Sequence, residues 1–220
     1  MKNIAVIPAR GGSKRLPGKN ELLLCGIPLI AHSIIEAQRH DFIHEVFVST
    51  DDSKIKAIAL SYGAGVIDRP AHLSGDEEPT VTALRHVVEN VQFSVENVFL
   101  LQPTNPLRPI HLVEEAFKIF EENNSDSLMT VTRNHQKLGK IADNKFIPFN
   151  YSIGQRSQDL EPLYFENGLL YIIKAHLILQ EKIMGDRHFA MVVEHRFAHI
   201  DIDTIEDFDY AVHLINNIKI

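Results

Sequence analysis

IAVIPARGGSKRLPGKN, residues 4–20, joins a short branched apolar run ended by Pro8 to a loop carrying Arg10, Lys14, Arg15 and Lys19 with three glycines. The chain has 22 Lys and Arg in 220 residues, yet residues 10–19 alone hold four cations and no acid. Run 4–8 reads as a buried strand. A glycine-rich cationic turn after a first strand suits phosphate, because glycines let backbone N–H groups approach and Lys and Arg add charge-assisted bonds. The loop has neither G-x-G-x-x-G nor G-x-x-x-x-G-K-[ST], which disfavours a dinucleotide Rossmann site and a Walker loop. The plain structural alternative is a solvated cationic turn.

Outward from this stretch, short β-type runs alternate with longer helical ones. Pro28 opens a helix with Ile30, Ile34 and Ala37 on one face. EVFVST (45–50) reads as a strand, and DDSKIKAIALSYG as a helix with acids in its first turn and Gly63 as its stop. GAGVI, NVFLLQ (97–102), SLMTVTR, GLLYIIK and FAMVVE read as further strands. Residues 79–91, 109–124, AHLILQEK and a segment from about Thr204 read as helices. The polar stretch 134–166, with a turn-like ADNK, breaks the rhythm and predicts a β-hairpin arm. Strands alternating with helices imply one α/β domain over 1–220, with a mostly parallel sheet covered on both faces. In such sheets a ligand lies beyond the carboxyl ends of the strands, where the loop 9–20 emerges.

Composition narrows the function. A formal charge of −7 disfavours general nucleic-acid or membrane-surface binding, so an anion site must be built locally. Lone Cys25 excludes an internal disulfide, fits a reducing compartment and reads as a small packing residue. No run of about 18 apolar residues suggests a membrane span, and the N-terminal apolar run is too short for a signal peptide. A soluble cytoplasmic protein is expected.

IPARGGSKRLPGKN also resembles the N-terminal signature of the CMP-N-acylneuraminate synthetases, the acylneuraminate cytidylyltransferases. VSTDD (48–52), RPAHLSGD (69–76), LQPTNPLR (101–108), RSQDL (156–160), ENGLLYI (166–172) and DIDTIEDF (201–208) follow in that family's order. One departure is Asn105, where the family's block usually reads LQPTSPLR. The resemblance implies a three-layer Rossmann-like fold of the nucleotide-diphospho-sugar transferase type with a small β-rich dimerisation arm. It also implies an enzyme that joins CTP to a nine-carbon 2-keto sugar acid, such as N-acetylneuraminate or legionaminate, releasing pyrophosphate.

By the same resemblance, Arg10, Gly11, Ser13, Lys14 and Lys19 hold the triphosphate, Asn20 and Thr80 face the cytidine half, and Arg69 adds a phosphate contact. Lys14, Lys19, Asp201 and Asp203 form the catalytic set. Gln102, Arg156, Asn167 and Tyr171 match the sugar side, Arg156 because a guanidinium can bind both oxygens of the sugar's carboxylate. A lysine of HQKLGK, Lys137 or Lys140, has a counterpart there too. If residues 200–203 are extended, Asp201 and Asp203 project to one face, and two carboxylates with open positions suit Mg²⁺ or Mn²⁺. Asp203 followed by Glu206 is equally an N-cap box. The plain structural alternatives are a loop salt bridge with Asp159 or Glu161 for Arg156, a surface turn residue for Arg69, a helix opener for Thr80 and a core residue for Tyr171. His40 with His44 and His195 with His199 have H-x-x-x-H spacing, but neither pair lies within a helix, which disfavours zinc.

A homodimer is expected, since Phe146, Phe149 and Tyr151 lie on the arm and the family's arm reaches across to a partner. Two rival readings are a CMP-Kdo synthetase, whose opening shares IPAR and RLPGK, and a non-catalytic nucleotide-binding module. GGSK, KN, LQPTNPLR and ENG favour the neuraminate branch over the first. Intact Lys14, Lys19, Asp201 and Asp203 disfavour the second.

Overall fold

The computed structural model describes residues 1–217. The chain runs β1 (Lys2–Pro8), the short pair β2 (Leu23–Leu24) and β3 (Ile27–Pro28), α1 (Leu29–Gln38), β4 (Glu45–Thr50), α2 (Ser53–Ser61) and β5 (Gly65–Asp68). It continues with α3 (Thr80–Asn90), β6 (Val95–Leu100), α4 (Leu112–Glu122), β7 (Ser127–Asn134), and the hairpin β8 (Gly139–Ala142) and β9 (Lys145–Pro148). It ends with β10 (Leu163–Lys174), α5 (Ala175–Leu179), β11 (His188–Val192) and α6 (Ile205–Asn217).

Seven strands form one sheet in the order β11-β7-β10-β6-β1-β4-β5. β1 pairs in parallel with β4 and β6, β4 with β5, and β7 with β11, while β10 runs antiparallel to both its neighbours. The period of two in β1 explains the layering. Ala5 and Ile7 pack with Ile30 and Ile34 of α1, Ala59 of α2 and Val113 and Ala116 of α4. Ile4 and Val6 face the other way, against Leu84 and Val87 of α3 and Leu177 and Ile178 of α5. A third cluster seats Ala211 and Leu214 of α6 on Leu16, Leu24, Leu29 and Ile202. Helices therefore cover both faces, as the alternation predicts.

Several expectations shift. β6 starts two residues before the predicted run, and α4 starts at Leu112 rather than Pro109. The arm is shorter than 134–166: residues 163–166 join the main sheet, where Leu163 to Glu166 pair with Asn134 to Val131. Leu163 is half-buried and Tyr164, Phe165 and Glu166 are exposed, so the segment lacks the continuous burial of a core strand. The ADNK turn is present, with Asp143 and Asn144 at positive φ between β8 and β9. Cys25 is exposed, with φ 51 in the turn between β2 and β3, and packs no core. Among the described residues no helix is long and apolar enough to cross a membrane.

Candidate functional site

Six strands end at one edge of the sheet, and β10, running the other way, brings its first half to the same edge. The loop after β1, Asp51 and Asp52 after β4, Arg69 after β5, Gln102 after β6 and Asn167 in β10 meet there. Two cavities open at this edge, of about 540 Å³ and about 390 Å³. Gln102 lines both. Each has the size of a small-molecule site.

The first cavity gathers Arg10, Ser13, Lys14, Arg15, Lys19, Asn20, Arg69, Thr80 and Asp203. Local structure explains how the loop gets there. Gly18 takes the left-handed conformation, φ 67, and starts a single turn over Lys19–Glu21 that buries Lys19 and Asn20 against the cavity wall. Asp52 caps α2, its Oδ1 accepting from the N–H groups of Lys54 (2.8 Å) and Ile55 (3.0 Å). Asp51 Oδ1 accepts the Gly11 N–H at 3.0 Å, and a Cβ on Gly11 would lie 2.6 Å from Asp52 Oδ2. Gly11 is thus required by its close approach to the acids. It is not among the residues lining the cavity, and its amide is engaged by Asp51.

Every loop cation has an acidic partner. Arg10 Nη2 lies 2.6 Å from Asp76 Oδ1, and Lys14 Nζ contacts Asp76 Oδ2. Arg15 Nη2 and Lys19 Nζ lie 2.6 Å and 2.9 Å from the two oxygens of Asp203. Lys14 is the hydrogen-bond partner that does most to hold the Asp76 carboxyl below its usual value, and Arg10 adds to it. Arg69 is not a surface turn residue. Its guanidinium donates from Nε and Nη2 to the hydroxyl (3.0 Å) and carbonyl (2.7 Å) of Ser49. Burial lowers its pKa, Asp51 opposes the shift and Arg10 adds to it. Asn20 donates from Nδ2 to the Arg10 carbonyl at 3.3 Å, while its Oδ1 is buried without a partner among the described residues. Thr80 begins α3 and also lines the cavity, so its two readings are compatible.

The second cavity is lined by Gln102, Asn105, Phe165, Glu166, Asn167, Tyr171, His199 and Asp201, among others. Asn105 organises it: Nδ2 donates to the carbonyls of Asn167 (3.0 Å) and Ile200 (2.6 Å), and Oδ1 accepts from Thr104 Oγ1 (3.1 Å). Asn105 thereby ties three segments together. Gly168 lies beside it at φ 72, where a Cβ would come within 2.6 Å of Asn105 Oδ1. The Asn167 side chain is engaged inward, with Thr130 Oγ1 at 2.6 Å, Thr132 Oγ1 at 3.0 Å and the Leu169 N–H at 3.1 Å. The Tyr171 hydroxyl donates to Glu166 Oε2 at 2.9 Å, and burial first, then Glu166, pushes its pKa well above the usual phenol value. Core and cavity readings of Tyr171 both hold.

Arg156 is not brought to either cavity within one chain. Its fork closes on Asp159, with Nε 2.7 Å and Nη2 3.1 Å from the two oxygens, because that acid lies one short turn away. Lys137 contacts the Gln155 carbonyl and sits over the Tyr151 ring, and Lys140 lies on the exposed hairpin, so neither lines a cavity.

Residues 201–203 are not part of a strand. Asp201 lines the second cavity and Asp203 the first. Burial raises the Asp201 carboxyl above its usual value and Asp203 adds to it, with Thr104 opposing. The box at the start of α6 is not Asp203–Glu206: Asp207 Oδ2 accepts from Asp203 N–H (3.1 Å) and Thr204 N–H (2.9 Å), and Thr204 Oγ1 accepts from the Asp207 N–H (3.3 Å). Asp203 is left free of capping, with its oxygens on cations. Among the described residues no group of three His, Cys, Asp or Glu side chains forms a metal cluster. The donor set is two carboxylates lining adjacent cavities, with both oxygens of Asp203 on Arg15 and Lys19; hard oxygen donors of this kind suit a cation that takes its remaining ligands from water and phosphate. His40 is buried against Glu36 and Glu114, and His44 contacts the backbone of Asn3.

Sequence reading assigned no site role to Asp76, Glu166, His199 or Arg108, and counted Arg15 only among the loop cations. Asp76 lay visible in the RPAHLSGD block, but nothing local tells that it meets the loop. Arg108 is buried and donates to the carbonyls of Leu169 (2.7 Å) and Gln102 (3.1 Å) and to Ser33 Oγ (3.1 Å), bracing the wall between the cavities.

A mostly parallel sheet with a cationic loop after its first strand and two adjacent cavities sharing Gln102 at its carboxyl edge defines a Rossmann-like α/β protein with a cation-lined mouth. A sequence profile described as Cytidylyltransferase matches residues 4–218, and the chain belongs to that cytidylyltransferase family. It is 34% identical over 225 residues to an N-acylneuraminate cytidylyltransferase of Streptococcus agalactiae, covering 96% of this chain and 53% of the relative, so it spans about half the length of that protein. It is 33% identical to a pseudaminic acid cytidylyltransferase of Campylobacter jejuni, covering 96% of this chain and 95% of the relative. It is 34% identical to a CMP-N,N'-diacetyllegionaminic acid synthase of Legionella pneumophila, covering 94% of each chain. Among solved structures, a CMP:2-keto-3-deoxy-manno-octonic acid synthetase complexed with CTP has the same fold, with TM-score 0.73, 19% identity and 98% and 99% of the two chains covered.

Proposed function

We propose that this protein is a nucleotidyltransferase that couples CTP to a nine-carbon 2-keto sugar acid, giving the CMP-sugar and pyrophosphate. The observation that carries this reading is the pair of adjacent cavities that share Gln102: one lined by Arg10, Lys14, Lys19 and Arg69, the other by Asn105, Glu166, Asn167 and Asp201. The names of the relatives above support cytidylyl transfer to a nonulosonic acid over a CMP-Kdo activity, since the octonic-acid enzyme shares the fold at 19% identity only.

In this reading Arg10, Ser13, Lys14 and Lys19 hold the triphosphate, Arg69 stiffens the wall behind it, and the buried Asn20 Oδ1 accepts a hydrogen bond from the nucleotide. The sugar's anomeric hydroxyl attacks the α-phosphorus and pyrophosphate leaves. Catalysis of this kind rests on positioning and on neutralising phosphate charge, and the cationic loop supplies both. Asp201 and Asp203 would hold Mg²⁺ or Mn²⁺, which when bound supplies further charge neutralisation on the phosphates. Lys19 and Arg15, which now face Asp203, would then turn to the phosphates.

We further propose a homodimer in which the hairpin arm packs on a second copy. Ile141, Phe146, Ile147 and Phe149 stand exposed on it, an apolar surface larger than a short solvated hairpin needs. Arg156, exposed and outside its own chain's cavities, would meet a sugar carboxylate only across such an interface. The test is pyrophosphate release from CTP with N-acetylneuraminate, legionaminate, pseudaminate and Kdo. Release with a nine-carbon acid is expected; release with Kdo alone, or with none, refutes the reading. Sedimentation at micromolar concentration showing only monomer refutes the dimer.

A further inference from the structure

The loop cations proposed for the triphosphate are already occupied by carboxylates. For Asp203 this follows from its place beside Lys19, and a metal gives it another task. Asp76 has no such second task. It projects from the segment between Arg69 and α3, on the lip facing the loop, and takes Arg10 on one oxygen and Lys14 on the other. Asp76 and both its partners line the cavity. An anion bridging two cations in this way sits on the charges that phosphate oxygens require.

We infer that Asp76 is a positioning residue that competes with phosphate for Arg10 and Lys14: a stand-in anion that CTP displaces, and that recaptures both cations as pyrophosphate leaves. The inference rests on the cytidylyltransferase reading above. The triphosphate and pyrophosphate carry several charges and can displace one carboxylate. The CMP-sugar product carries a single phosphodiester charge and cannot do so as well. Asp76 thus weakens both polyanions together, lowering substrate affinity while keeping pyrophosphate from lingering. A purely structural role, in which Asp76 holds the loop in shape for nucleotide, predicts the opposite sign, because losing it would weaken CTP binding.

The ion pairs are partly exposed, with Asp76 38% and Lys14 80% exposed, so solvent and salt screen them. Removing one such carboxylate should tighten polyanion binding by about three- to tenfold, the size of two exposed ion pairs. The experiment measures CTP and inorganic pyrophosphate binding by calorimetry for the unaltered protein, Asp76→Asn, Asp76→Ala and Asp76→Glu, with steady-state kinetics alongside. Expected for Asn and Ala are tighter CTP and pyrophosphate binding, stronger pyrophosphate inhibition, an unmoved KM for the sugar acid and a gain that shrinks as salt rises. Glu should restore the original behaviour. Equal or weaker CTP binding in both Asn and Ala variants, with thermal melts unchanged, overturns the inference. Failure of the unaltered protein to bind CTP at all overturns the nucleotide reading instead, so the two failures are distinguishable.

Discussion

Arg108→Met tests the claim that a buried guanidinium holds the wall between the cavities. Burial pushes the Arg108 pKa down from 12.5 to about 10, with Glu36 opposing. A net drop of that size disfavours the charged form by about 3 kcal/mol, after Glu36 has offset part of the cost of burial. Three hydrogen bonds, to Leu169 O, Ser33 Oγ and Gln102 O, offset it, each being worth about 1.5–3 kcal/mol for a charged donor. Methionine removes the cost of burying a charge but leaves the Leu169 carbonyl orphaned, so the net loss should be about 2–5 kcal/mol. Lysine keeps the charge and reaches fewer of the three acceptors, so it should fall between. Because the folded pKa stays near 10, Arg108 is charged at every working pH, and this cost should not vary between pH 6 and pH 8. Urea denaturation monitored by circular dichroism gives the values. A loss below about 1 kcal/mol for Arg108→Met would show that the three bonds are not what holds the wall.

Gly168→Ala should destabilise by about 2–4 kcal/mol, from left-handed strain and the contact with Asn105; recovery of about half of that in the Asn105→Ser background, where the clash is relieved, checks the cause by a double-mutant cycle. Asp201→Asn and Asp203→Asn should each abolish most divalent-dependent turnover; near-full activity in both, with unchanged melting, would refute the metal reading. Burial lowers the folded pKa of His32, its backbone bonds at Leu24 and Ile27 only partly opposing this. The fold then binds fewer protons than the unfolded chain, and the His32 contribution to stability is present above about pH 6.5 and lost as pH falls below it. His32→Gln should flatten that slope in melts between pH 7.5 and pH 5.5, and an unchanged slope would point to other groups.

How much was legible follows from the range of the interactions concerned. Periodicities of two and of three to four come from local backbone geometry, so the run 4–8, the helix after Pro28 and the alternation of strands with helices were readable one segment at a time. Pro and Gly punctuation belongs to the same class, as Pro28 and Gly63 show. So does the gathering of charge in the loop 10–19, since charge density needs no partner to be counted. The antiparallel course of β10 was not readable, because residues 163–166 acquire strand structure only by pairing with β7. Direction and register there are set by a partner about thirty residues away, not by the segment's own four residues. The site divided in the same way. Arg10, Lys14, Lys19, Asn20 and Thr80 share a cavity because one loop and one helix carry them, and the sequence marks both. Asp76 on Lys14, Asp51 on Gly11, Asn105 against Gly168 and Arg108 across three segments are contacts between residues that chain order does not relate. Arg156 shows the limit most plainly. Its chemistry suits a carboxylate wherever it stands, but whether it meets Asp159 or a sugar acid is decided by which anion the fold brings within hydrogen-bond reach.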